Sequence, residues 1–199
     1  MKKISLILVY FFVSTNILIA SDYSSEPKAF VQELVSEAIV VLSDKTKSEE
    51  DKIIFIEKIA LDNVDINALG LYTLGEVRKT TDKSNLKIYQ AAFEKYFLKS
   101  LTSRLTDYSS NKFEVIESEI KSSNYTIVKS KILASENQPE IKIDWRIYTK
   151  NPNKPLIRDL IVEGLSLART QKEEFSSILS SNNNDINILI IKLNEFVKN

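Results

Sequence analysis

The chain has no cysteine and no histidine, and its 199 residues include only three glycines, four prolines and one tryptophan. Without cysteine there are no disulfides and no thiolate nucleophiles. With histidine missing too, Cys/His zinc sites are excluded. No Ser-His-Asp arrangement can be assembled, and no imidazole is present to act as a general base. Charge of one sign is also lacking, since 27 basic residues balance 27 acidic ones. No basic field exists to hold nucleic acid, so it is not an expected partner. The acidic residues are dispersed among the basic ones, the pattern of solvated faces rather than of a metal or carboxylate centre. No metal and no cofactor are expected.

What is present begins with an apolar run. Met1-Lys2-Lys3 is followed by Ile4 to Ile19, interrupted only by Ser5, Ser14, Thr15 and Asn16, then by small Ala20 and Ser21 and a polar stretch. This is the three-part layout of a secretory signal peptide over residues 1–20, with cleavage after Ala20 or Ser21. An apolar run of about 16 residues is short for a span, which needs roughly 20. No cysteine follows the run, so a lipid-anchored product is not expected. The remaining 21–199 are expected to form one exported, soluble domain. Without Lys2 and Lys3, 25 basic residues face 27 acidic ones, a formal charge of about −2.

Periodicity divides the rest into two kinds of segment. A helix is expected from Pro27, capped by Ser25, with Phe30, Leu34, Ala38, Val41 and Leu42 on one face. Ser48 to Asp51 (SEED) is a capping-box pattern that starts a second helix. A third runs from Asp65 to Gly75. The longest is expected after Thr81 as cap, with Leu86, Tyr89, Gln90, Phe93, Phe97, Leu101 and Leu105 aligned. The period then changes. Phe113 to Ile120, Tyr125 to Leu133, Ile141 to Tyr148 and Leu156 to Val162 read as strands. IKIDWRIY places Ile141, Ile143, Trp145 and Ile147 on one face and Lys142, Asp144, Arg146 and Tyr148 on the other. Helices over Ser166 to Leu179 and Asp185 to Val197 close the chain, with Asn182 to Asp185 as the turn between them. Clustered helices and clustered strands predict an α+β fold, with helices on one face of a roughly four-stranded antiparallel sheet.

DLIVEGLSLARTQKEEF (159–175) superficially resembles a nucleophile elbow, with Gly164 two residues before Ser166. The elbow's second glycine is replaced by Ala168, and Arg169 stands where a Ser-x-x-Lys pair would need lysine. A turn at Gly164 explains the pattern without chemistry. Catalysis is not expected. A rival reading would use paired carboxylates, Asp144 or Glu163 with Asp159, although helix capping and surface solvation account for such acids more simply.

The same stretch, Asp159, Leu160 to Val162, Glu163-Gly164-Leu165-Ser166-Leu167, Lys172, Glu174 and Phe175, resembles the signature of the MlaC family. A second block carries Leu74-Gly75, Arg78, Phe93, Leu101 and Tyr108 in the family's order. The chain departs from the pattern at Val77 (usually aromatic), Pro155 (commonly Trp) and Asn183 or Asn184 (usually Gly). The resemblance implies a periplasmic phospholipid shuttle on an NTF2-like-related fold, with an apolar cavity between a twisted sheet and its helices. It implies partners at both membranes: an MlaA-like outer-membrane lipoprotein complex and the MlaD-like component of an inner-membrane ABC transporter. It also implies a monomeric carrier. Leu165, Leu167, Trp145, Ile143, Phe93, Phe97 and Tyr108 are the expected lipid contacts. Arg146, Arg158 and Lys172 are the expected headgroup or partner contacts. A third reading is a periplasmic adaptor of an ABC transporter that carries no lipid.

Overall fold

The computed structural model describes residues 23–105, 112–134 and 139–198. The expected signal segment and Tyr108 lie outside these. Five helices come first: α1 (Pro27–Ser43), α2 (Glu49–Asn63), α3 (Ile66–Thr73), α4 (Val77–Thr80) and α5 (Lys83–Leu105). Five strands follow: β1 (Phe113–Ser122), β2 (Tyr125–Ile132), β3 (Ile141–Tyr148), β4 (Leu156–Val162) and β5 (Leu165–Ser166). Then come α6 (Leu167–Ser180) and α7 (Ile186–Lys198). The strands form one open antiparallel sheet in chain order. The α+β class and antiparallel sheet agree with the sequence reading. The short β5 and the single-turn α4 were not anticipated.

Local chemistry sets most boundaries. Ser48 and Asp51 form the capping box of α2, and Asp185 accepts from the Asn187 amide to open α7. Asn183 and Asn184 take φ of 54° and 58°, the left-handed conformation that asparagine tolerates better than most residues. Two caps differ from expectation. Glu26, not Ser25, receives the Lys28 and Ala29 amides at the start of α1, because its longer carboxylate reaches both donors. Asp82, not Thr81, receives the Ser84 and Asn85 amides before α5. The Thr81 hydroxyl instead donates back to the Val77 carbonyl, closing α4.

The interior has two parts. Phe30, Val31 and Leu34 of α1 pack on Val128, Trp145, Ile147 and Ile157, which share one sheet face. Ser130 makes this face polar at one point: its hydroxyl donates to the Ile143 carbonyl and accepts the Trp145 indole N–H. The second part joins α3, α5, α6 and α7 through Leu74, Tyr89, Phe93, Phe175, Leu179, Leu189 and Leu193. Here Tyr89 is fully buried, and burial pushes its phenol well above the ordinary tyrosine range. Its hydroxyl shares a hydrogen bond with Thr73 and donates to the Gly70 carbonyl.

Glu163 and Gly164 link β4 to β5 as a two-residue hairpin in which Val162 pairs with Leu165. Both turn residues have positive φ, 49° and 82°, as a type I′ turn requires. A Cβ at Gly164 would meet nothing within 4 Å, so only backbone conformation selects glycine. Gly164→Ala is therefore expected to lower stability by about 1 kcal/mol, the cost of a left-handed L-residue. Urea denaturation checks this; an unchanged midpoint would show that the turn adopts another conformation.

Candidate functional site

The sheet face opposite α1 carries Tyr125, Ile127, Lys129, Asp144, Arg146, Asp159 and Ile161, which adjoin one another through the β2–β3 and β3–β4 registers. Ala68, Leu69 and Tyr72 of α3, Arg78 of α4 and Ala168 of α6 stand across from it. Apart from the buried Asp159, these residues border a cleft of about 1000 Å³. The cleft is open and of mixed polarity rather than enclosed and apolar.

Asp159 holds β4 to the start of α6. It is 5% exposed, and its carboxylate accepts from Ser166 Oγ at 2.7 Å and from the Ala168 amide at 3.0 Å. Arg146 Nη1 approaches to 3.3 Å. Ser166 Oγ in turn accepts the Arg169 amide at 3.0 Å, so this serine is the N-cap of α6, as its place after the turn suggested. The hydroxyl that looked like a nucleophile is committed at both ends to helix and sheet.

Arg158, the chain neighbour of Asp159, holds β4 to the start of α3. Nε and Nη2 donate to Asp65 Oδ2 at 2.9 and 2.6 Å, and Nη1 donates to the Tyr125 hydroxyl at 2.7 Å. Its guanidinium lies 3.4 Å from the Tyr148 ring centroid. Burial opposes its charge, but Tyr125 and Asp65 more than offset this and raise its pKa. The other Asp65 oxygen caps α3 by accepting the Ala68 amide. One carboxylate therefore ties α3 to β4.

The expected headgroup or partner residues gather partly here. Arg146 and Arg158 line the cleft. Lys172 sits behind it, with Nζ 5.3 Å from the ring centroid of Tyr72, which does line it. The expected lipid contacts are dispersed. Leu165 and Leu167 are 69% and 40% exposed, on β5 and at the start of α6. Trp145 and Ile143 face α1, so strand alternation puts them on the opposite side of the sheet from Arg146. Phe93 is buried in the helical cluster and Phe97 packs at its edge. The rival carboxylates are otherwise occupied: Asp159 as above, and Glu163 in accepting the Lys142 amide across the β3–β4 hairpin. Asp144 stays on the cleft wall beside Lys129, its cross-strand partner.

Tyr72 and Tyr125, which line the cleft, and Asp65, which holds Arg158, were missed by the sequence reading. The available signal was Arg158 itself, a cation that shares the strand LIRDLIV with Asp159 and needs a partner where it is buried; nothing local names Asp65, 93 positions away. Among the described residues, no group of acidic side chains could hold a metal ion, and no helix is long and apolar enough to cross a membrane.

Comparison with known proteins places this architecture. The phospholipid-binding protein from Ralstonia solanacearum, solved in complex with a phospholipid, aligns with a TM-score of 0.71 at 15% identity, over 86% of this chain and 96% of that one. At that identity the likeness is one of fold. A family model described as MlaC protein matches residues 32–195, which runs from within α1 to within α7 and takes in the whole sheet with Arg158 and Asp159. On that match the chain belongs to the MlaC family.

Proposed function

We propose that this protein is a periplasmic phospholipid carrier that moves lipid between the outer membrane and an inner-membrane ABC transporter. The observation that carries the reading is the family match across residues 32–195; the phospholipid in the Ralstonia relative supports it. In this reading residues 1–20 direct export and 21–199 act as one monomeric unit. An MlaA-like complex and an MlaD-like component receive it at the two membranes.

The energetics suit a shuttle. Burying a methylene from water is worth about 0.8 kcal/mol, so two chains of roughly 15 buried methylenes would give about 24 kcal/mol. That exceeds the practical ceiling of about 18 to 21 kcal/mol for non-covalent affinity. A lipid taken from a bilayer leaves one apolar medium for another, so its net transfer energy lies near zero. Partners at either membrane can then set direction.

Leu165 and Leu167 are exposed aliphatic side chains beside the turn, and in this reading they meet acyl chain. Leu165→Glu would put a carboxylate against hydrocarbon, at a cost of several kcal/mol unless it protonates or reaches water. The fold should tolerate it, because Leu165 packs little in the free protein. The test is transfer of a fluorescent phospholipid from donor to acceptor vesicles. Wild type should accelerate transfer, and Leu165→Glu should lose most of that effect while keeping its circular dichroism spectrum and melting temperature. Equal transfer by the two proteins would remove Leu165 from the lipid path. No acceleration by wild type would count against a shuttle.

A further inference from the structure

We propose that Arg78 and Arg146, on opposite walls of the cleft, together hold the phosphate of a glycerophospholipid headgroup. This rests on the carrier reading and assigns it a recognition site.

Spare donors, rather than net charge, point to an anion. Five cationic side chains, Arg78, Lys121, Lys129, Arg146 and Arg158, border the cleft, and five carboxylates, Asp65, Asp144, Glu117, Glu119 and Asp159, line it or pair with them. Three of the five cations are already occupied. Lys121 and Lys129 are held by Glu119 and Glu117, and Arg158 by Asp65 and Tyr125. Arg78 and Arg146 differ. Arg78 donates once, from Nη1 to the Leu71 carbonyl at 3.0 Å, and no carboxylate among the described residues lies within ion-pair distance. Its acidic neighbour Glu76 is taken by Lys79. Among the described residues Arg146 makes one ion pair, with Asp159 at 3.3 Å, and its side chain remains 42% exposed. A guanidinium carries five N–H donors in a planar fork that matches two phosphate oxygens at once. Most donors of both arginines remain unused.

The surface between them narrows the class of anion. Leu69, Ile127 and Ile161 line the cleft beside the two arginines, so a ligand that fills it has hydrocarbon next to its charge. Inorganic phosphate would use the arginines and leave this surface wet; a glycerophospholipid uses both. Asp144 is the opposing charge on the same wall, and Lys129 stands across from it in register.

The experiment titrates the full chain with three probes: dihexanoyl phosphatidylglycerol, dihexanoylglycerol without phosphate, and inorganic phosphate. Affinity is read by calorimetry, and the sites by the Nε–Hε resonances of Arg78 and Arg146. The phospholipid should move both resonances and bind at least about tenfold more tightly than either other probe, as bidentate charge-assisted contacts imply. Arg78→Gln and Arg146→Gln should each weaken it about tenfold without altering dihexanoylglycerol binding. Arg146→Gln also removes a partner of Asp159, whereas Arg78→Gln disturbs no ion pair, so the second variant stands even if the first destabilises the fold. Equal binding of the phospholipid and dihexanoylglycerol, or wild-type affinity in Arg78→Gln, overturns the proposal. Inorganic phosphate binding as tightly as the phospholipid overturns it in favour of a small-anion site. If phosphate moves both arginines while neither lipid binds, the carrier reading fails and the arginine pair survives as an anion site alone.

Discussion

Asp159→Ala is expected to destabilise the protein by about 3 to 5 kcal/mol, the range for removing one partner from a buried charged network. The carboxylate is almost wholly shielded, accepts from Ser166 Oγ and the Ala168 amide, and pairs with Arg146. Truncation leaves the amide at the start of α6 without its acceptor and Arg146 without its counter-charge, and nothing else among the described contacts replaces them. Ser166→Ala should cost less, about 1 kcal/mol, because it removes one N-cap while Asp159 keeps the Ala168 amide and Arg146. Guanidinium denaturation at neutral pH measures both. A loss below about 1 kcal/mol for Asp159→Ala would mean that water substitutes for the carboxylate and that the β4–α6 joint is not held this way.

Trp145→Ala is expected to cost a similar amount, about 3 to 5 kcal/mol, as large-to-small changes in packed interiors do. The indole fills the face covered by α1, meets Phe113 edge-on and donates to buried Ser130. Trp145→Phe separates the contributions: it keeps most of the volume and removes the indole N–H, for a loss of about 1 kcal/mol. This pair also decides between two roles, since an apolar strand residue looks the same whether it seals a core or touches lipid. A large loss of stability in the lipid-free protein makes Trp145 core. Unchanged stability, with bound lipid lost only in Trp145→Ala, makes it a lipid contact.

Features carried by short sequence spans were legible. Ser48 to Asp51 announces its capping box because both partners lie within four residues. The alternation in IKIDWRIY separates Trp145 and Ile147 from Arg146 because a strand repeats every two residues. The turn at Gly164 and a helix starting at Ser166 were both legible. What could not be read depends on register or on competition between neighbours. Asp82 outcompetes Thr81 by geometry alone. Two residues of β5 carry no periodicity, yet pairing with β4 turns a simple corner into a hairpin. The cleft joins α3, α4 and α6 to the outer sheet face, and its anchor Asp65–Arg158 spans 93 positions. Arg146 and Arg158 could be chosen from the sequence as cations beside apolar strand residues, but their separate commitments could not. One is locked by Asp65 and two tyrosines; the other makes an ion pair with Asp159 and stays part-exposed.

The most direct measurement is organic extraction of the full chain after detergent-free purification from a periplasmic fraction, followed by mass spectrometry of the extract. A phospholipid carrier predicts glycerophospholipid in near-stoichiometric amount, and its depletion from Leu165→Glu prepared in parallel. A wild-type protein that is folded, monomeric and free of phospholipid would contradict a carrier role.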